Sequence, residues 1–335
     1  MAIHRPGIAY AATAQGYELP VIDVTHAAFT VADDSASGEA LRAAFIAMGR
    51  QNNRVPRFLM KFFMRSFMRR SLLARALFDH ESTVLPGLNT YLMKLGADNL
   101  VPPFDSDIDK RLAASPATTS MRMRLQQVAG LVAQGLEKEL AARANVPLHL
   151  INIGGGTAID SLNTLILLRR ASAELLARSV TIHVLDIDAE GPSFGRRALA
   201  ALGAESAPLA GLDIRFVHVT HDWNAVAALE KMVRALSIDE AIVAASSEGA
   251  LFEYGDDALV VANLKALYAG GNGARLVAGS VTRDDEIIRG ALEFSPFKLV
   301  PRGVERFARL LRGTGYSLAR TQSAPMSDQV LLRAD

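Results

Sequence analysis

Three short segments carry residue types that together can hold an adenosine. The first is LHLINIGGGTAIDSL, residues 148–162, in which an apolar run meets Gly154, Gly155 and Gly156 and then a helical pattern that begins near Ala158. Glycines at a strand-to-helix turn let a ligand approach the backbone closely, and the free N–H groups of the helix start face that ligand. The second is VTIHVLDI, residues 180–187, which ends in Asp186 and Ile187 at the spacing of one βαβ unit. A carboxylate there can accept both hydroxyls of a ribose. The third is IRFVHV, residues 214–219, followed closely by His221, Asp222 and Trp223. An acid at that place can receive an adenine amino group, and an aromatic ring can cover the base. Each segment also has a plain structural reading: a glycine corner, a solvated strand end, a packed aromatic. In this order along the chain they point to a nucleotide more sharply than any one of them alone.

A second group of residues has the chemistry to act on a substrate. The run AIVAA, residues 241–245, leads into Ser246, Ser247, Glu248 and Gly249 and on to Glu253, Tyr254, Asp256 and Asp257. In open α/β sheets the carboxyl ends of the strands face the ligand crevice. Glu248 can orient or deprotonate a substrate group, and Tyr254 can hydrogen-bond it. Asp256 and Asp257 read better as caps for the helical pattern at 258–267. His80 lies between Asp79 and Glu81, two acids that raise its pKa if they are close. His218 alternates onto a strand face and reads as structural, and His221 adjoins the adenine segment. Arg122 and Arg124 can bind a substrate carboxylate, although solvated helix arginines are the rule.

These residues need a scaffold, and the second half of the chain supplies one. From Val146 onward, short apolar runs at 148–153, 180–187, 214–219, 241–245 and 275–281 alternate with helical spacers. That alternation predicts a parallel sheet with helices on both faces. Two further runs, 316–321 and 329–334, are separated only by residues 322–328, too few for a right-handed crossover but enough for a hairpin. The expected fold is therefore α/β, a mostly parallel sheet ending in an antiparallel hairpin. Residues 1–145 read as a mainly helical cap. They hold a short strand signal at 19–24, a helix from Ser37 to Gly49 with Ser37 as N-cap, a long helical signal at 57–78 and a helix over 119–144. The Phe, Met and Arg of 57–78 fit a helix with one buried face, and also fit a helix lying on a lipid surface. Residues 1–35 stand apart and are read as a candidate homodimer arm.

Composition narrows the function classes. Of 335 residues, half are hydrophobic and 21% charged, which is globular rather than disordered. A net charge of +1 makes no demand for a polyanion, so nucleic acid is not expected as a partner. Cysteine is absent, which excludes disulfides, thiolate metal sites and cysteine nucleophiles and fits a reducing compartment. The opening MAIHRPGIAYAATAQGYELP lacks a basic-then-apolar leader pattern, and no run is long and charge-free enough to span a bilayer. A cytoplasmic protein without stable membrane insertion and without a metal is expected.

Over about residues 146–335 the chain resembles the class I, Rossmann-like methyltransferases that use S-adenosylmethionine. The IGGG turn is similar to the family's first motif, Asp186-Ile187-Asp188 with Phe194-Gly195-Arg196 to its second-strand motif, and His221-Asp222-Trp223 to its adenine segment. The resemblance implies S-adenosylmethionine as cofactor and S-adenosylhomocysteine as product. It implies a cofactor site of Asn152, Gly154, Gly155, Gly156, Asp186, Ile187, Asp222, Trp223 and Ser246. The resemblance is silent about substrate; the charge balance and the apolar cap favour in-line methyl transfer to an oxygen, nitrogen or carbon of a small molecule, and Glu248, His80 and Tyr254 are the candidate catalytic residues by their own chemistry. Two positions depart from the family: Asn152 stands where an acid is common, and Ala158 where a third glycine is common. Asp160 and Asn163 can help to hold the methionine end, though a first-turn acid is equally explained by the helix dipole. A dinucleotide dehydrogenase fits less well, because the glycines are not spaced GxGxxG and the parallel run ends in a hairpin. A non-methylating protein on the same fold, such as a cyclase, an eliminase or an assembly subunit, is the second reading.

Overall fold

A computed structural model of the chain describes residues 4–52, 71–78, 86–237, 240–292 and 297–335. The helical signal at 57–70 and the candidate His80 lie outside these residues. The described N-terminal elements are β1 (Tyr10–Ala12), β2 (Glu18–Pro20), α1 (Ser35–Asn52), α2 (Leu72–Phe78), α3 (Gly87–Lys94), α4 (Asp107–Ala113) and α5 (Pro116–Ala142). The second half runs β3 (Leu148–Ile153), α6 (Ile159–Ala171), β4 (Val180–Asp186), α7 (Glu190–Leu202), β5 (Ile214–Thr220), α8 (Val226–Ser237), β6 (Ile242–Ser247), α9 (Leu251–Tyr254) and α10 (Asp257–Tyr268). It closes with β7 (Leu276–Thr282), α11 (Glu286–Leu292), α12 (Gly303–Leu310), β8 (Tyr316–Ser323) and β9 (Ser327–Ala334).

The main sheet has seven strands in the order β5-β4-β3-β6-β7-β9-β8. Strands β3 to β7 are parallel, while β9 pairs antiparallel with both β7 and β8. The mixed α/β fold with a terminal antiparallel hairpin is therefore present. Strand order reverses between β3 and β6, and a crevice opens at the carboxyl ends on either side of such a switch point. Every residue of β6 and β7 is buried, as expected of parallel strands covered on both faces. Alternate side chains feed two separate cores. Leu150, Ile182, Val184 and Ala278 pack with the apolar faces of α5, α6 and α7. Ile151, Leu185, Val243 and Val277 pack with α8, α10 and α12. Each buried Leu or Ile contributes about 1.5–3 kcal/mol relative to exposure.

Several N-terminal expectations shift. The strand signal at 19–24 is realised only as β2, a three-residue partner of β1 in a separate two-stranded sheet. Beyond Pro20 the chain is held by side chains instead of a ladder. The Tyr91 hydroxyl accepts from the Ile22 N–H at 3.1 Å and donates to the Pro20 carbonyl at 2.6 Å. The Asn163 amide accepts from Val24 N at 2.8 Å and donates to Ile22 O at 3.0 Å. Asn163 is thus committed to the N-terminal strap and not to a ligand. Helix α1 begins at Ser35, because Asp34 rather than Ser37 is its cap: the Asp34 carboxylate accepts from Ser37 N at 2.9 Å. Helix α5 starts three residues earlier than expected, with Pro116 in its first turn and Ser115 accepting from Thr118 N. It packs along α6 and against β7 and β9, so one core runs without a break from Ala11 through α5 to Leu331.

The sheet also carries a histidine pair, His149 Nδ1 and His183 Nε2, at 3.0 Å. Burial pushes His183 down to about 4, with His149 adding to the effect. A folded value below the unfolded one means that this residue's contribution is present above pH 6.5 and is lost as pH falls towards 4. After allowance for partial exposure the loss is about 1–2 kcal/mol. Thermal melts at pH 7, 5.5 and 4.5 should therefore show a shallower pH dependence for His183→Gln than for the parent. Parallel curves would mean that His183 titrates alike in the folded and unfolded chain.

Candidate functional site

The glycine turn after β3 is shaped by close approach. Gly156 has φ of +51°, and a Cβ on it would lie 2.8 Å from the Gly87 Cα. Gly87 is equally closed off, since its own added Cβ would overlap the Gly156 backbone. The first turn of α3 therefore sits directly on the glycine turn, backbone on backbone, and roofs the space in front of it. Ala158, where a further glycine was expected, adopts a left-handed conformation with φ of 52° just before α6. A β-carbon there carries a cost of about 1 kcal/mol that a glycine would not.

In front of this turn lies a cleft of about 460 Å³ at the carboxyl ends of β3, β4, β5 and β6. Asn152, the three glycines, Asp186, Ile187, Trp223 and Glu248 all line it. Asp186 is held at the end of β4 by two backbone donors, Gly156 N to Oδ2 at 2.8 Å and Asp188 N to Oδ1 at 2.9 Å. Burial raises its pKa against those two bonds. Trp223 leans its ring on Gly154.

Other expected positions fall differently. Asp222 is exposed and does not face the cleft; its Oδ1 accepts from Asn224 N at 2.9 Å and Asn224 Nδ2 at 2.7 Å, closing a local turn. The neighbouring His221 lines the cleft instead, 9% exposed, its Nε2 without a partner. Burial lowers its pKa, so the ring is neutral near pH 7. Ser246 is buried beneath the cleft beside Asp160. Tyr254 ends the short helix α9 and does not line the cleft; burial and the nearby Glu253 raise its pKa.

The floor of the cleft is a buried charge cluster. Glu248 pairs with Lys94 Nζ from the roof helix and with Arg124 Nε from α5. Arg124 Nη1 also donates to Glu253 Oε2 at 2.9 Å. Burial works to raise the Glu248 carboxyl, but Arg124 and Lys94 overcome it and hold it below the usual range. A doubly paired, acidified carboxylate is a poor base, which corrects the expectation that Glu248 deprotonates a substrate. Arg124 does bind carboxylates, but they are the chain's own. Arg122 turns elsewhere, donating to Phe29 O at 3.3 Å.

Asp160 is the residue whose place in this cluster sequence reasoning only touched. It is 3% exposed and lines the cleft. Its Oδ1 accepts from Asn152 Nδ2 at 2.6 Å, and its Oδ2 has no hydrogen-bond partner. Burial, then Glu248, raises its pKa. Asn152 gives its other amide proton to Ser161 Oγ at 2.9 Å, so it serves to present Asp160 rather than to meet a ligand with its own donors. Lys94 was missed; its only local signal is Thr90, one turn earlier on α3, which faces the same cleft. Among the described residues no three His, Asp or Glu side chains are grouped to hold a metal, and no helix is long and apolar enough to cross a membrane.

No protein-family model and no curated protein matches the sequence. Solved structures do. A possible exported protein from Bordetella parapertussis superposes with a TM-score of 0.54 at 16% identity, over 90% of this chain and 99% of that one. The 1,6-didemethyltoxoflavin-N1-methyltransferase of Burkholderia thailandensis, solved with S-adenosylhomocysteine, gives 0.37 at 12% identity over 63% of this chain and 78% of that one. Human N-acetylserotonin methyltransferase, solved with S-adenosylmethionine, gives 0.37 at 14% identity over 65% and 58%. Several further structural neighbours carry the name methyltransferase. At these identities the likeness is one of fold.

Proposed function

We propose that this cleft binds S-adenosylmethionine and that the chain transfers its methyl group to a small-molecule acceptor. The observation that carries the reading is the sign of the cleft. Asp160, Asp186, Asp188 and Glu190 face it, and the one cation of the described lining, Lys94, is paired with Glu248. A ligand with a sulfonium and an ammonium suits such a lining; the pyrophosphate of a dinucleotide does not. The Gly156 N–H, which would receive a phosphate, is already committed to the Asp186 carboxylate.

The residues present fit the cofactor's parts. Asp186 would hold the ribose hydroxyls, and Trp223 with His221 would flank the base. The unpartnered Asp160 Oδ2 would take the methionine ammonium, the task for which Asn152 lacks the charge. When bound, the cofactor supplies an electrophilic methyl on a sulfonium leaving group. The chain's contribution is alignment and exclusion of water under the α3 roof. Glu248 and Lys94 neutralise each other and keep the floor dry and fixed. His221 is the described cleft residue best suited to relay a proton, being neutral with an open ring nitrogen. A cleft of this size and a chain near neutrality favour a small acceptor over a polymer. The cytoplasm is the compartment proposed with this activity, on the strength of the cysteine-free sequence.

Calorimetric titration with S-adenosylmethionine, S-adenosylhomocysteine and NAD tests the reading. Micromolar binding of the first two and none of NAD is expected. NAD binding alone would overturn it. Tight cofactor binding with no transfer across an acceptor panel would favour the non-methylating reading.

A further inference from the structure

A second groove, of about 500 Å³, lies between the start of α1, the middle of α5 and the β8–β9 turn. It sits beside the hairpin, whereas the cofactor cleft lies at β3 to β6. Asp33, Asp34 and Glu39 face it. Its two arginines are already neutralised. Arg42 pairs with Asp285 at 3.0 Å and donates to Pro325 O, and Arg283 lies 3.6 Å from Asp328 and 3.8 Å from Asp285. Three carboxylates are thus left facing the groove without a counter-charge from its lining.

The unsatisfied polar atoms point the same way, independently of that charge. Gln127, on α5, is 3% exposed and lines the groove. Its Nε2 gives one proton to Asp33 Oδ1 at 2.6 Å and the other to Ser323 O at 3.1 Å. Both donors being used, the amide cannot be flipped, and Oε1 is left buried with no partner. Gln322 Oε1, in the same lining, is also buried and unpartnered, as is Asp328 Oδ1 behind Arg283. All three are acceptors. A buried acceptor without a donor is costly, so an entering N–H group is favoured at such an atom.

We infer that this groove binds a small organic cation carrying several N–H donors, a guanidinium or an alkylammonium, at a site separate from the cofactor cleft. Agmatine carries both groups and is the probe. Titrated calorimetrically at low salt, it should bind the parent chain, and 4-guanidinobutyrate, in which the ammonium becomes a carboxylate, should bind at least tenfold more weakly. The double variant Asp33→Asn/Glu39→Gln keeps an acceptor for Gln127 and changes only exposed charges. It should melt as the parent does and lose about tenfold in agmatine affinity. Asp186→Ala should leave agmatine affinity unchanged, which separates this groove from the acidic cleft and makes the result independent of the cofactor assignment. No agmatine binding, equal binding by the double variant, or loss of binding in Asp186→Ala would each overturn the inference.

Discussion

Asp186→Ala is expected to weaken S-adenosylmethionine and S-adenosylhomocysteine binding by roughly 10- to 150-fold while the chain stays folded, the value of one hydrogen-bonded charge at about 1.5–3 kcal/mol. The carboxylate acts twice. It ties the Gly156 and Asp188 amides into one fixed loop, and under the proposed reading its remaining lone pairs take the ribose hydroxyls. Asp186→Asn keeps one acceptor oxygen and should fall between the two. Because burial raises this carboxyl, the ionised acceptor is lost on acidification sooner than for an exposed aspartate, so cofactor affinity should decline as pH falls. Calorimetry on the three forms at two pH values checks this. Unchanged affinity in the alanine form would place the ribose elsewhere.

Arg124→Met should cost about 3–5 kcal/mol of folding stability, a large share of the total for a domain. Methionine fills much of the same volume, so the loss reports charge rather than a cavity. Without Arg124, and among the described residues, Glu248 keeps only Lys94, and Glu253 keeps only a weak 3.3 Å bond from Thr282. Burial already raises Glu253, and the variant removes the opposing charge that restrains it. Adding Glu253→Gln to Arg124→Met should restore most of the loss, since Glu248 still faces Lys94 and no buried carboxylate is then left without a cation. Urea unfolding of the single and double variants measures both. A loss under about 1 kcal/mol in the single variant would show that water reaches the cluster and screens it.

The parts of this molecule that could be read from its sequence are those whose signal is local. The alternation of apolar run and helical spacer marks β3 to β7, and the seven-residue gap at 322–328 marks the hairpin, because period and gap length are properties of neighbouring residues. The parts that escaped depend on contacts between distant segments. Nothing near Lys94 says that its ammonium meets a carboxylate more than 150 positions later. Asn163 lies three residues after Asp160, yet its side chain reaches back to residues 22 and 24, a direction set by the strap and not by α6 itself. Asp222 and His221 exchanged their expected places because the chain has left the strand at Thr220, and beyond it period-two alternation no longer decides which side chain faces the crevice. The helix at 116–142 was counted with the cap from its position in the chain. Its packing against β7 and β9 makes it part of the sheet's cover.

Trp223 is the one tryptophan in 335 residues, and its ring rests on Gly154 at the wall of the cleft. The intrinsic tryptophan emission of this protein therefore comes from a single address. It offers an unlabelled, real-time optical signal in which the arrival of a ligand against the glycine turn, and any lifting of α3 away from it, can be timed in a rapid-mixing instrument without the background that a second indole would add.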